Sequence, residues 1–158
     1  MRELLLMRHG KAADFTDSST DFDRPLAAAG CDQAERAGRW LQQQGRIPDL
    51  IIASPALRTR QTAERVAEVV ELLGPVELAP SLYNAPAGRL IEVLEQAEAE
   101  RVMLVGHNPG ISHCWQIITG RPDNFHTASL GVARMPEDCR QLADGCGVAQ
   151  LPVQHFPA

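Results

Sequence analysis

Two arginines and two histidines stand where short apolar runs of the chain end, in Arg8-His9-Gly10, Ser54-Pro55-Ala56-Leu57-Arg58 and Gly106-His107-Asn108. Brought to one edge they make a compact positive pocket in an otherwise acidic chain, and such a pocket suits a phosphoryl group. A guanidinium is a planar fork of donors that matches phosphate oxygens two at a time. Histidine serves as a covalent nucleophile when one ring nitrogen is unprotonated and a carbonyl holds the other. A tight His9-Gly10 turn is expected to supply that carbonyl. A protonated His107 would stabilise charge on the transferring oxygens, with Arg8 and Arg58 on the equatorial ones. The helix start after Pro109 is expected to aim backbone N–H groups at the same anion. Arg58 falls in a first helical turn, where the macrodipole disfavours a cation, so helix stability alone would not select it. Arg60 and Arg65, at helical spacing from Glu64 and Glu68, read as a solvated, paired face.

The elements that must position these groups follow from apolar spacing and chain breakers. Glu3–Met7, Leu50–Ala53, Val76–Leu78 and Arg101–Val105 read as strands, the longer ones continuous apolar runs of the kind buried on both faces. Helices are predicted over Gly30–Gln44, closed by a left-handed Gly45, over Ala56–Leu73 with Gly74-Pro75 as a stop, from Pro86 through Leu90, Ile91 and Leu94, and over Ile111–Thr119, closed at Gly120. Ala128–Met135 and Gly147–Val153 read as a terminal antiparallel pair. Strands alternating with helices imply right-handed crossovers and a three-layer α/β/α sandwich with a mostly parallel sheet, built as a single domain over residues 1–158. In such sheets ligands bind beyond the carboxyl ends of the strands, where the three segments would meet.

Leu6-Met7-Arg8-His9-Gly10, Ser54-Pro55-Ala56-Leu57-Arg58-Thr59-Arg60-Gln61-Thr62-Ala63 and Val105-Gly106-His107-Asn108-Pro109 resemble, in the same order, the three motifs of the histidine phosphatase superfamily, also called phosphoglycerate mutase-like. Asp23-Arg24-Pro25-Leu26 and Leu82-Tyr83-Asn84-Ala85 look most like its small SixA-type phosphohistidine phosphatase branch. The resemblance spans residues 1–120. It implies a phosphatase in which His9 takes up the phosphoryl group and water then hydrolyses the phosphohistidine. Arg8, Arg58 and His107 would complete the phosphate pocket, with no metal or organic cofactor. Larger members carry a glutamate general acid where this chain reads Ser81-Leu82-Tyr83-Asn84, and insertions that cover the substrate; neither is evident here. The missing acid fits a phosphohistidine substrate, whose P–N bond cleaves more easily once the ring is protonated. The proton would come from His107 or from a carboxylate among Asp14, Asp17, Asp21 and Asp23. An open site admits a phosphorylated protein surface, such as a histidine-containing phosphotransfer domain. A small phosphorylated metabolite is the alternative substrate, and a non-catalytic phosphate-binding module the alternative role.

Composition agrees with a folded domain: 158 residues are 44 % hydrophobic and 22 % charged, a balance that excludes low-complexity and disordered classes. A net charge of −5 with dispersed arginines argues against nucleic acid as a partner. No apolar run approaches a bilayer span, so a cytoplasmic monomer without a membrane partner is expected. Cys31, Cys114, Cys139 and Cys146 are widely spaced and are expected to be reduced thiols. The acidic stretch from Asp14 to Asp23 reads as a solvated loop, or as an edge of the site with Arg24 as a further anion contact. Ser54 has no nucleophile-elbow pattern and reads as part of a helix start. His113 reads as structural or partly exposed, and His107 with His113 lacks a metal-site spacing.

Overall fold

The computed structural model describes residues 2–16 and 20–158. Its strands are β1 (Arg2–Arg8), β2 (Leu50–Ala53), β3 (Glu77–Leu78), β4 (Arg101–Gly106), β5 (Leu130–Met135) and β6 (Val148–Ala149), and its helices are α1 (Ala28–Gln43), α2 (Leu57–Val70), α3 (Ala87–Gln96) and α4 (Gly110–Thr119). They form one sheet in the order β3-β2-β4-β1-β5-β6. β1, β4, β2 and β3 run parallel, whereas β5 pairs antiparallel with β1 and with β6. This is the expected three-layer α/β sandwich with its antiparallel pair at one edge.

The apolar runs work by serving two cores at once. Leu4 and Leu6 of β1, with Val102 and Leu104 of β4, pack against Leu90, Leu94, Trp115 and Ile118 of α3 and α4. The intervening Leu5, Met7, Met103 and Val105 pack against Ala34 and Leu41 of α1 and Ala63 and Val66 of α2. Successive strand side chains point to opposite faces, so a strand buried on both sides must be apolar at every position. Each such leucine contributes about 1.5–3 kcal/mol of transfer free energy. On the second face α1 and α2 approach closely: a Cβ on Gly38 would lie 2.8 Å from Val69 Cβ.

Two expectations are corrected. α2 ends at Val70 rather than Leu73, because Glu71 turns into the left-handed region (φ 54°) and the Leu72 N–H bonds back to the Ala67 carbonyl at 2.9 Å. Leu73, past the face that meets α1, is exposed. The four thiols are not all reduced: Cys139 and Cys146 form a disulfide across the β5–β6 connection, with Cα atoms 5.9 Å apart, while Cys31 and Cys114 are free. The connection doubles back through a short 3-10 turn at Leu142–Asp144, which brings the two cysteines together. Among the described residues no helix is long and apolar enough to cross a membrane.

Register places the site. Arg8 lies opposite Gly106, Ala53 opposite Val105, and Ala53 opposite Leu78. The loops after β1, β2, β3 and β4 therefore leave the sheet along one edge.

Candidate active site

His9 and His107 leave neighbouring strands together, edge to face, with ring centroids 5.4 Å apart. Both are buried. The expected carbonyl is present: His9 Nδ1–H donates to the Gly10 oxygen at 2.7 Å, which leaves Nε2 as the unprotonated nitrogen. Burial above all, with the nearby charges of Arg58, Arg8 and Arg24, pushes this imidazole down to about 4 against the opposing effect of that hydrogen bond. The Gly10 N–H donates to Thr62 Oγ1 at 3.0 Å, and the Thr62 hydroxyl donates to the Arg58 carbonyl at 2.7 Å, so α2 holds the loop that carries His9. The reason for glycine at position 10 is close packing: a Cβ there would sit 2.7 Å from the Gly30 oxygen, and one on Gly30 would sit 2.1 Å from the Lys11 oxygen.

Arg58 crosses the site from the first turn of α2, its side chain buried. Its Nη2 donates to His107 Nδ1 at 3.3 Å, so His107 carries its proton on Nε2 and donates it to Ser54 Oγ at 2.8 Å. Burial first, then His9 and Arg58, push His107 down to about 3. The sequence left the charge of His107 open; in this structure the ring is neutral, because a second proton would displace the Arg58 donor and add a cation beside guanidinium groups. A phosphoryl dianion would supply the compensating charge. Ser54, read as part of a helix start, accepts both from His107 and, at 3.4 Å, from the N–H of Ala56 at the N-cap of α2, and so joins that helix start to the site.

Arg8 is half-buried, its Nη1 donating to the Phe125 carbonyl at 3.1 Å, which also receives Asn108 Nδ2 at 2.8 Å. The Nε groups of Arg8, Arg24 and Arg58 are buried donors without a hydrogen-bond partner among the described residues, a condition that Arg2 and Arg60 share elsewhere. The helix start after Pro109 is less open to an anion than expected. The Ile111 N–H is taken by the His107 carbonyl at 2.9 Å and that of Ser112 by Asn108 Oδ1 at 3.3 Å.

Of the acidic stretch, Asp21 stands at an edge of the site. Asp21 accepts from Arg58 twice, through its carbonyl at 2.7 Å and through Oδ2 at 3.1 Å, and Oδ2 also accepts from the Tyr83 hydroxyl at 2.6 Å. Its Oδ1 lies 3.4 Å from Arg24 Nη2. The Tyr83 hydrogen bond, with the charges of Arg58 and Arg24, holds the Asp21 carboxyl below the usual range against partial desolvation. Asp23 bonds to Thr20 at the surface, Asp14 is exposed, and Asp17 lies outside the described residues. Arg24 stacks 4.3 Å above the Phe15 ring. Arg60 pairs with Glu64 as expected, but Arg65 reaches Glu35 of α1 rather than Glu68. His113 is exposed. The rings of His126 and His155 lie tilted to each other with centroids 4.9 Å apart.

Arg8, His9, Arg58 and His107 are thus gathered as expected. Ser54, Thr62, Asp21 and Tyr83 were not assigned these contacts beforehand. Ser54, Thr62 and Tyr83 lie inside the motif segments, which was the available signal.

Residues 4–103 match the model of the histidine phosphatase superfamily, branch 1, and the chain belongs to that family. It is 30 % identical to the phosphohistidine phosphatase SixA of Escherichia coli over 85 % of this chain and 86 % of that protein. An uncharacterized protein of Picosynechococcus is 39 % identical over 81 % and 82 %. In three dimensions the chain is similar to the protein histidine phosphatase SixA complexed with tungstate, with a TM-score of 0.81, 26 % identity and 94 % of each chain covered. The fold is therefore phosphoglycerate mutase-like, and the chain is a SixA-related member of its family.

Proposed function

We propose that this protein is a phosphatase that works through a phosphohistidine on His9, and that its substrate is phosphohistidine on a protein. The observation that carries the reading is the arrangement of His9 itself: a neutral imidazole with Nδ1 tied to the Gly10 oxygen, set among Arg8, Arg24 and Arg58. Nε2 attacks phosphorus while the guanidinium groups of Arg8 and Arg58 bind its oxygens, and the bond to the leaving group breaks as the new N–P bond forms. Water then attacks the phosphorus of phospho-His9, releasing inorganic phosphate and returning the neutral imidazole. His107, whose Nδ1 shares the Arg58 donor, takes a proton as the dianion arrives and donates to an equatorial oxygen.

The substrate follows from the acids at hand. Asp21 is held as a carboxylate, and the proton that His107 gains with the dianion is committed to an equatorial oxygen, so neither offers a strong acid to an alkoxide leaving group. A phosphoimidazole needs none: its distal nitrogen takes a proton from solution, and neutral imidazole departs. The lack of covering insertions supports a protein surface as the carrier of that ring, with a histidine-containing phosphotransfer domain as a fitting partner.

The test is rapid quench with a phosphohistidine protein, followed by mass spectrometry. A base-stable, acid-labile phosphoryl group on His9, absent from His9→Ala and accompanied by phosphate release, is expected. Binding of the phosphoprotein without label or release would point to a recognition module. Turnover of phosphate monoesters with none of the phosphohistidine protein would move the substrate to a small metabolite.

A further inference from the structure

Four rings run in a continuous file from the nucleophile to solvent. His9 meets His107 at 5.4 Å, His107 meets Tyr83 at 5.7 Å, and Tyr83 meets Phe22 at 5.1 Å, each pair edge to face. The chain holds one tyrosine and four phenylalanines. That tyrosine and one of those phenylalanines, Phe22, stand in this file, and Phe15 lies nearby under Arg24. The rings are not loose. The Tyr83 hydroxyl is fixed on Asp21, and the Phe22 carbonyl accepts from the N–H of Leu57, the residue before Arg58. Phe22 is nonetheless 39 % exposed, an aromatic face left to water beside a cluster of charged donors.

We infer that Tyr83 and Phe22 form an aromatic wall that selects substrates by their leaving group, favouring a phosphoryl group carried on a flat ring over one carried on an aliphatic chain. This rests on the phosphoryl-transfer reading for its site, but it concerns the group beyond the phosphorus. A planar ring bonded to the phosphorus held by Arg8 and Arg58 extends along the wall and gains edge-to-face contacts that an alkyl chain lacks. Two ring sources share this chemistry, the imidazole of phosphohistidine and the phenol of an aryl phosphate.

The inference is tested first by binding, without turnover. Titration calorimetry should show phenylphosphonate bound roughly three- to tenfold more tightly than methylphosphonate. Phe22→Ala should remove that advantage and leave methylphosphonate affinity unchanged, which also reports an intact site; Phe22→Leu, which keeps the apolar bulk, should remove most of it and serves if the alanine variant does not fold. Equal binding of the two phosphonates by the wild type, or a phenyl advantage that survives both substitutions, overturns the wall. Turnover then separates the ring sources. In Phe22→Ala a fall in kcat/KM confined to phosphoimidazole assigns the wall to imidazole, one confined to phenyl phosphate assigns it to phenols, and an equal fall on glycerol phosphate overturns it. Absence of any turnover alongside a clear phenyl advantage in binding would overturn the phosphatase reading and leave the wall standing.

Discussion

The two ends of the parallel strands both carry arginines, and they treat them differently. At the amino ends Arg101 Nε donates to Glu3 at 2.8 Å, Arg46 pairs with the other oxygen of Glu3, and the Arg101 backbone N–H is held by Asp49 at 2.9 Å. Arg2 spends its donors on the carbonyls of Leu94 and Ala97. At the carboxyl ends Arg8, Arg24 and Arg58 gather with two neutral histidines, and among the described residues Asp21 is the carboxylate within ion-pair distance of them. One end is neutralised from within. The other retains a positive surplus, which under the proposed function a dianionic phosphoryl group would balance. Charge that the fold leaves uncompensated is informative about ligands, whereas compensated charge is informative about stability.

The largest test of this contrast removes the proposed nucleophile. His9→Ala should lower phosphate release from a phosphohistidine protein by at least about 10³-fold while tungstate or phosphate still binds, because the cations remain. Next comes a paired substitution across the two ends. Arg58→Ala should cost about 10²-fold or more in kcat with a modest change in melting temperature, and Arg58→Lys should restore only part of it, since a point charge lacks the planar fork. Arg101→Ala should leave turnover unchanged and cost about 1–2 kcal/mol in denaturant unfolding. The reverse pattern would dissolve the distinction.

Asp21 sharpens it further, because its carboxylate occupies donors of Arg58 that a phosphate would use. Asp21→Asn should tighten inorganic phosphate binding several-fold by calorimetry; weaker binding would mean that Asp21 organises the arginines more than it competes for them.

The histidines predict a pH response whose sign can be worked out. With folded values pushed down to about 4 for His9 and about 3 for His107, against about 6.5 for a free imidazole, the unfolded chain binds more protons between these limits. Stability contributed by keeping the rings neutral is present above about pH 6.5 and is lost as pH falls toward 4 and 3. NMR should find both rings untitrated from pH 8 to 5, with inorganic phosphate raising the His107 value, and the acid loss of stability should shrink in His107→Asn. The smallest effect on activity belongs to the disulfide, which lies toward the amino end because Met135 pairs with Arg2. Reducing Cys139–Cys146, seven residues apart, should cost on the order of 2 kcal/mol by loop-closure entropy. Turnover should not change.

Much of this was legible beforehand because it rests on local rules. Apolar runs of Leu4–Met7 and Val102–Val105 announce strands buried on both faces, and Gly45 and Gly120 mark helix ends through a backbone conformation that glycine adopts freely. Strand order then delivers Arg8, His9, Arg58 and His107 to one edge, since ligand-bearing loops of a parallel sheet leave from its carboxyl side. Several departures come from contacts that local spacing rules do not fix. Arg65 has Glu68 at helical spacing yet pairs with Glu35, because α1 packs alongside α2. Cys139 finds Cys146 because the β5–β6 connection turns back on itself. Asp21 was one of several interchangeable carboxylates until Arg58 and Tyr83 closed on it.

The amino-acid sequence by itself determined the layers, the strand ends and the four residues gathered beyond them, because periodicity, chain breakers and side-chain chemistry act within a few residues. Only the tertiary structure decided the protonation of His107, the seat of Asp21 and the aromatic file through Tyr83 and Phe22. Those depend on which groups share a dry space, and burial and distance are properties of the folded chain alone.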